Sequence, residues 1–325
     1  MAATQKIKPN RLATIPEWVW GLIVIVVLLS LHFVLSEFQK TVASEMLIMG
    51  LFALSLNLIM GYGGMVHFGH AAFYGVGGYT VAILLTQTDI NPWLAMLIAP
   101  FVSAFAAFII GWFCVRRVGL YFSILTLAFA QLVYIFAFNS RELTGGDDGL
   151  QGLKFPTLID DTGEFYLFTV LVFIVCYLLV RMIVHSPFVQ VLKAIRENSE
   201  RAQFLGVNVR RHQLATFVMG GFFAGVAGML LVAKQHFIGV EMLFWTTSAE
   251  PILASLLGGM YTLAGPIIGG AILVFLEMTL NRLVILEGIQ WQGVLGVLTV
   301  IIVLAAPTGL FGLVQRLLGL SQDES

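Results

Sequence analysis

The stretch HSPFVQVLKAIRENSERAQFLGVNVRRHQ, residues 185–213, lies between long apolar runs and decides how the rest of the chain is read. It carries Lys193, Arg196, Arg201, Arg210 and Arg211 beside Glu197 and Glu200, too much charge for a bilayer span. Yet Val189, Leu192, Ile195 and then Ala202 and Leu205 recur at helical intervals, which predicts short amphipathic helices outside the membrane. Pro187 suits the first turn of such a helix, and Gly206 its end. An ordinary solvated loop is the plainer alternative. A connector that needs only solubility has no use for an apolar stripe, so a partner face or a membrane-surface face is implied.

The composition around this connector is that of a polytopic membrane protein: 59% of residues are hydrophobic and 11% charged, with mean hydropathy +0.94. A net charge of -1, with basic residues dispersed between spans, forms no patch for a nucleic acid. Cys114 and Cys176 both fall inside apolar runs and read as small core residues, with neither a disulfide framework nor a metal set.

Outward from the connector, the chain is expected to be all-α, with about ten transmembrane or partial helices. A polar, basic arm, residues 1–17, precedes a single permease domain over 18–306, and 307–325 form a tail. Apolar runs cover 18–36, 42–60, a glycine-rich passage from 61 to 78 continuing to 85, then 93–115, 120–138, 165–184, 214–233, 251–263, 266–286 and 289–305. The run at 251–263 is too short to cross alone. Residues 139–164 form a polar excursion with Asp147, Asp148, Asp160 and Asp161. With the N-terminus in the cytoplasm, the arm, Arg116 with Arg117, the 185–213 connector and Arg316 all fall inside, and so does the C-terminus. The 139–164 loop then faces outward.

Two passages are broken by glycine. In 61–80, GYGGMVHFGHAAFYGVGGYT, the residues Gly61, Gly64, Gly75 and Gly78 stand among seven glycines, and 256–271, LLGGMYTLAGPIIGGA, repeats the character around Gly258 and Gly259. Such interruptions give close helix contact or an unwound turn, and in transporters a pair of them marks a translocation path. The spacings Gly221 to Gly225 and Gly265 to Gly269 read first as helix packing. Asn57, Gly64, His67, His70, Gly75, Gly78, Gly258, Gly259 and Glu277 are the candidate path residues. His67 and His70, one turn apart, lack a third ligand for a metal, and capping or packing at the membrane edge is the plainer role. Glu277, mid-span, is either functional or paired with another helix; Glu45, Asn57, Gln131 and Glu250 are weaker cases of the same kind.

No phosphate-cradling GxxxxGK[ST] loop, GxSxG or HExxH is present, and Asp147-Asp148-Gly149 lacks calcium-loop spacing, so no enzyme active site is indicated.

Five blocks in order, SLNLIMGYGGMVHFGHAAFYGVGGYT (55–80), GLYFSILTLAFAQLVY (119–134), NSRELTGGDDGLQGL (139–153), the long run from SPFVQ to AGVAGML (186–230) and EPILASLLGGMYTLAGPIIGGA (250–271), resemble the LivM-type permease subunits of branched-chain amino-acid ABC importers. The resemblance implies that Arg196, Glu197, Glu200, Arg201, Ala202 and Gly206 belong to the cytoplasmic coupling segment that docks into an ATPase subunit. The importer pattern there is Glu-Ala-Ala, three residues, Gly; Arg201 replaces the middle alanine. It also implies a LivH-type paralogous permease, two ATPase subunits holding ATP and magnesium, a periplasmic binding protein touching the 139–164 loop, and a place in the bacterial inner membrane. No cofactor is expected on this chain. The implied substrate is a branched-chain or related small amino acid, with urea or a short amide next. A rival of another class is a secondary transporter driven by an ion gradient through Glu277 and the broken helices, which has no need of the long connector.

Overall fold

The computed structural model describes residues 17–282 together with isolated residues between 293 and 312. Helix α1, Glu17–Val34, leads to α2, Glu37–Asn57, which opens on a capping box between Ser36 and Gln39. Then come α3, His70–Gln87; α4, Pro92–Cys114; α5, Leu120–Asn139; the single turn α6, Arg141–Thr144; and α7, Thr162–Val184. Asn91 caps α4 ahead of Pro92 in the first turn, and Asp161 caps α7 through the Gly163 amide. The connector folds into α8, Pro187–Glu197, and α9, Ser199–Phe204, before α10, Val209–Gln235, which Asn208 caps. Last are α11, Ala249–Gly258, and α12, Ala264–Arg282.

The all-α expectation holds. Among the described residues, α2 with its extension to Tyr62, α4, α5, α7 and α10 are long and apolar enough to cross a membrane. The expected run at 251–263 becomes α11, whose 10 residues rise about 15 Å, half the hydrocarbon thickness. The passage from 61 to 85 is no single element: it leaves a π turn at Tyr62, is irregular over 63–69, and α3 starts only at His70. The arm at 1–16 lies outside the described residues, and so do the expected span at 289–305 and the tail apart from those isolated positions.

α2 and α10 form the buried centre, and α5 and α7 stand at the periphery with most of their apolar surface outward. In lipid, packing rather than hydrophobicity joins helices, so small residues mark the seams. Gly77 of α3 lies against Gly225 of α10, and a Cβ at Gly269 of α12 would overlap the Ala254 carbonyl of α11, so both glycine spacings serve packing. Ser103 of α4 sets its hydroxyl 2.7 Å from the Phe73 carbonyl and 2.8 Å from that of Gly221, tying α4 to α3 and α10.

α7 ends where α8 begins and α10 starts just after α9, so α8 and α9 share one end of the bundle. At the opposite end a two-residue strand, Leu150–Gln151, pairs antiparallel with Phe237–Ile238 beyond α10. This pairing holds the 139–164 loop against the segment joining α10 to α11.

Candidate functional site

At the α8–α9 end the two broken passages meet. α2 closes in one π turn, Leu58–Tyr62, and the chain then unwinds through 63–69. A single π turn followed by irregular backbone needs partners for its carbonyls. Facing it, α11 is capped by Gly259, whose φ of +111° admits no other residue without strain, and the turn of 260–263 leads into α12. Asn57 Nδ2 donates to the Thr262 carbonyl at 3.0 Å, and Gly61 lies so close to the Met260 carbonyl that a Cβ would overlap it. The two halves are joined edge to edge.

At the opposite end, α2, α3, α10, α11, α12 and the segment after α10 line an open cavity of about 570 Å³, within the usual range for a small-molecule site. Its walls carry Glu45 from α2, Glu241 from the segment, Glu250 from α11 and Glu277 from α12. Lys234 of α10 is ion-paired with Glu45. Tyr74 of α3 lines the same space, its ring stacked on Phe52 at 4.1 Å. Carboxylates at this depth are costly unless something cationic answers them, and Lys234 answers one. The others offer acceptors for an ammonium group. An incoming carboxylate would compete with Glu45 for Lys234.

Between these ends the rods are continuous: α2 runs from Glu45 to Asn57, α11 from Glu250 to Gly258, α12 from Ala264 to Glu277. Glu277 therefore falls in the cavity. Asn57, Gly258 and Gly259 fall at the junction of the broken passages, so the candidate path residues divide between the two ends.

The connector splits by face. Val189, Leu192 and Ile195 of α8 and Ala202 of α9 are buried, as the stripe predicts. Leu205, expected on that stripe, is 79% exposed, and its neighbour Phe204 is 91% exposed. α9 ends at Phe204, so Leu205 turns outward ahead of Gly206, φ +86°. Phe204 was not among the expected site residues; an aromatic immediately before the terminating glycine was the available signal. Glu197, Glu200 and Arg201 are also exposed. Arg196, expected with them, is exposed as well but reaches back to the bundle. Its Nη1 donates to the Gly61 carbonyl at 2.6 Å, its guanidinium lies 5.1 Å from the Tyr261 ring centre, and its stem rests on Gly64.

His67 and His70 are not one turn apart on a helix. His67 lies in the irregular stretch and His70 opens α3. Neither is at an edge: both are fully buried, their rings edge-on at 5.1 Å. His70 Nε2 and the Ser55 hydroxyl are 2.7 Å apart, while His67 sits among Phe73, Phe122 and Phe217 with both nitrogens unpartnered among the described residues. No group of three metal-ligating side chains occurs among the described residues. Gly75 abuts Leu243, and Gly78 abuts Val232 and Ile238, so both seat the segment after α10 against α3. Lys234 and Glu241 were missed. A lysine closing an otherwise apolar span was the visible signal for the first; a glutamate in a loop carries none.

Residues 40–304 match the family described as branched-chain amino acid transport system / permease component. The high-affinity branched-chain amino acid transport system permease protein LivM of Salmonella typhimurium is 27% identical over 289 residues, covering 81% of this chain and 68% of its own. Escherichia coli LivM gives the same figures. The permease protein LivH of Escherichia coli, from the system of the same description, is 27% identical over 288 residues, 81% of this chain and 90% of its own. No solved structure matches.

Proposed function

Because this chain belongs to the family of branched-chain amino-acid transport permease components, we propose that it is the membrane-spanning subunit of an ATP-driven importer for branched-chain or related small amino acids. It carries no catalytic machinery of its own. A paralogous permease completes the path, two separate ATPase subunits with ATP and magnesium supply power, and a binding protein delivers substrate. The α8–α9 end faces the cytoplasm of a bacterial inner membrane and the 139–164 loop faces outward. Arg116, Arg117 and the basic residues of the connector at the first end support that orientation.

The observation that carries this reading is the cavity of about 570 Å³, three of whose four carboxylates stand on the same three helices that break and meet at the other end. A zwitterionic amino acid suits it: Glu250 and Glu277 accept from the ammonium group and Lys234, exchanging Glu45, takes the carboxylate. Neutral urea gains less from such walls. Phe204 and Leu205 give the ATPase subunit an apolar grip. Alternating access then needs two packings of the junction, one of which the ATP-bound partner favours.

The clustered carboxylates also favour a second reading, an ion-coupled carrier. Purification with partners and reconstitution in liposomes separates the two. ATP-dependent uptake that requires the binding protein supports the importer. Uptake by the chain alone under a proton or sodium gradient would replace it with the carrier.

A further inference from the structure

We propose that Arg196 is a positioning residue, the contact through which a displacement of α8 reaches the acidic cavity at the far end of the bundle. The inference rests on the importer reading and adds to it the route that the power stroke takes inside this chain.

Five cationic side chains lie in α8, α9 and the start of α10. The side chains of Lys193, Arg201, Arg210 and Arg211 make no hydrogen bond or ion pair among the described residues, whereas Arg196 holds both broken passages at once. Its charged donor takes the Gly61 carbonyl of the π turn at 2.6 Å, and its guanidinium carbon lies over the Tyr261 ring, 5.1 Å from its centre, in the turn between α11 and α12. An arginine suits this double role because one guanidinium can donate in its plane and stack on an aromatic ring. The stem lies where any side chain on Gly64 would stand, and the φ of +67° there keeps the position for glycine. Arg196 thus bridges the first passage and the second at the surface of the bundle.

What it grips is already one unit. Asn57 to Thr262 and Gly61 against Met260 lock the π turn to the α11–α12 turn. From that unit three helices run to the cavity: α2 rises about 18 Å to Glu45, α11 about 12 Å to Glu250 and α12 about 20 Å to Glu277, taking 1.5 Å per residue. A helix held at its foot tilts as a rod, so a shift of Arg196 moves all three carboxylates relative to Lys234 on α10. α8 is itself anchored to the bundle by Val189, Leu192 and Ile195, and its last turn carries Arg196. A force on exposed Phe204 and Leu205, beyond Asn198, enters α8 at that end.

The test uses the complete transporter in liposomes with Arg196→Gln, Arg196→Lys, Tyr261→Leu and Tyr261→Phe. Substrate moved per ATP hydrolysed is expected to fall about tenfold in Arg196→Gln, with ATP hydrolysis within about twofold of wild type, as loss of a coupling contact implies. Arg196→Lys and Tyr261→Leu fall by about threefold each, and Tyr261→Phe, which keeps the ring, stays near wild type. A purely structural latch instead lowers transport and hydrolysis together and leaves the ratio unchanged, which overturns the proposal. A second readout needs no ATP: alkylation of Thr247→Cys in the cavity wall by a polar thiol reagent, the native Cys114 and Cys176 being buried. Arg196→Gln is expected to change that rate at least threefold, and an unchanged rate refutes transmission to the cavity. Absence of ATP-driven uptake in wild type, with the Thr247→Cys rate still responding to Arg196, would instead defeat the importer reading alone.

Discussion

Lys234 of α10 and Glu45 of α2 form an ion pair at the wall of a cavity that three further carboxylates line. Lys234 is the more deeply buried partner, 12% exposed against 34% for Glu45. The pair sets both the stability of the cavity and its charge.

Lys234→Met leaves Glu45 half-buried and unanswered, which is expected to cost about 2 kcal/mol, less than for a fully buried pair because water reaches the carboxylate. Thermal unfolding in detergent should show a lowered midpoint, and Lys234→Met with Glu45→Gln should recover most of it. Uptake should be lost in both. A double variant as unstable as the single one would mean that the pair does not act as a pair.

Phe204→Asp should leave the permease folded, because the side chain is 91% exposed and supports nothing in this chain. Co-purification of the ATPase subunits should fall at least about tenfold, as for an anchor residue in an interface. Unchanged capture would place the ATPase contact elsewhere.

Gly61→Ala introduces a Cβ where the Met260 carbonyl stands, so the two passages must separate. Overpacking of this kind costs about 1–3 kcal/mol. Lower thermal stability together with reduced uptake is the expected result. Wild-type behaviour in both would show that the junction is looser than its geometry.

His67→Phe should be tolerated. The imidazole makes no hydrogen bond among the described residues and is enclosed by three phenylalanines, so an aromatic hydrocarbon fits its chemistry better. Stability equal to or above wild type, with uptake within about threefold, is expected. Loss of uptake in a stably folded His67→Phe variant would restore the histidine to the translocation path.

Hydropathy marked α2, α4, α5, α7 and α10 closely, because a span in lipid must be apolar along its whole length. It was less informative for 61–85 and 251–263, where glycine lets the backbone either unwind or pack and composition does not distinguish the two; the first unwinds, then packs from Gly75 onward, and the second stops half way. Amphipathic periodicity found the buried side of α8 but misassigned Leu205, since α9 ends one residue earlier and a helical count no longer applies.

Sequence by itself determined the class of this protein: apolar runs of bilayer length, a charged connector with an apolar stripe and five ordered blocks of family resemblance are all properties of consecutive residues. Tertiary structure alone decided that Glu45, Glu250 and Glu277 share one cavity and that Arg196, unlike the other cations of the connector, contacts Gly61 and Tyr261. The physical reason is distance along the chain. Arg196 and Gly61 are separated by 135 residues and Asn57 and Thr262 by 205, and such pairs are set by how helices cross, which no local pattern of hydropathy or charge encodes.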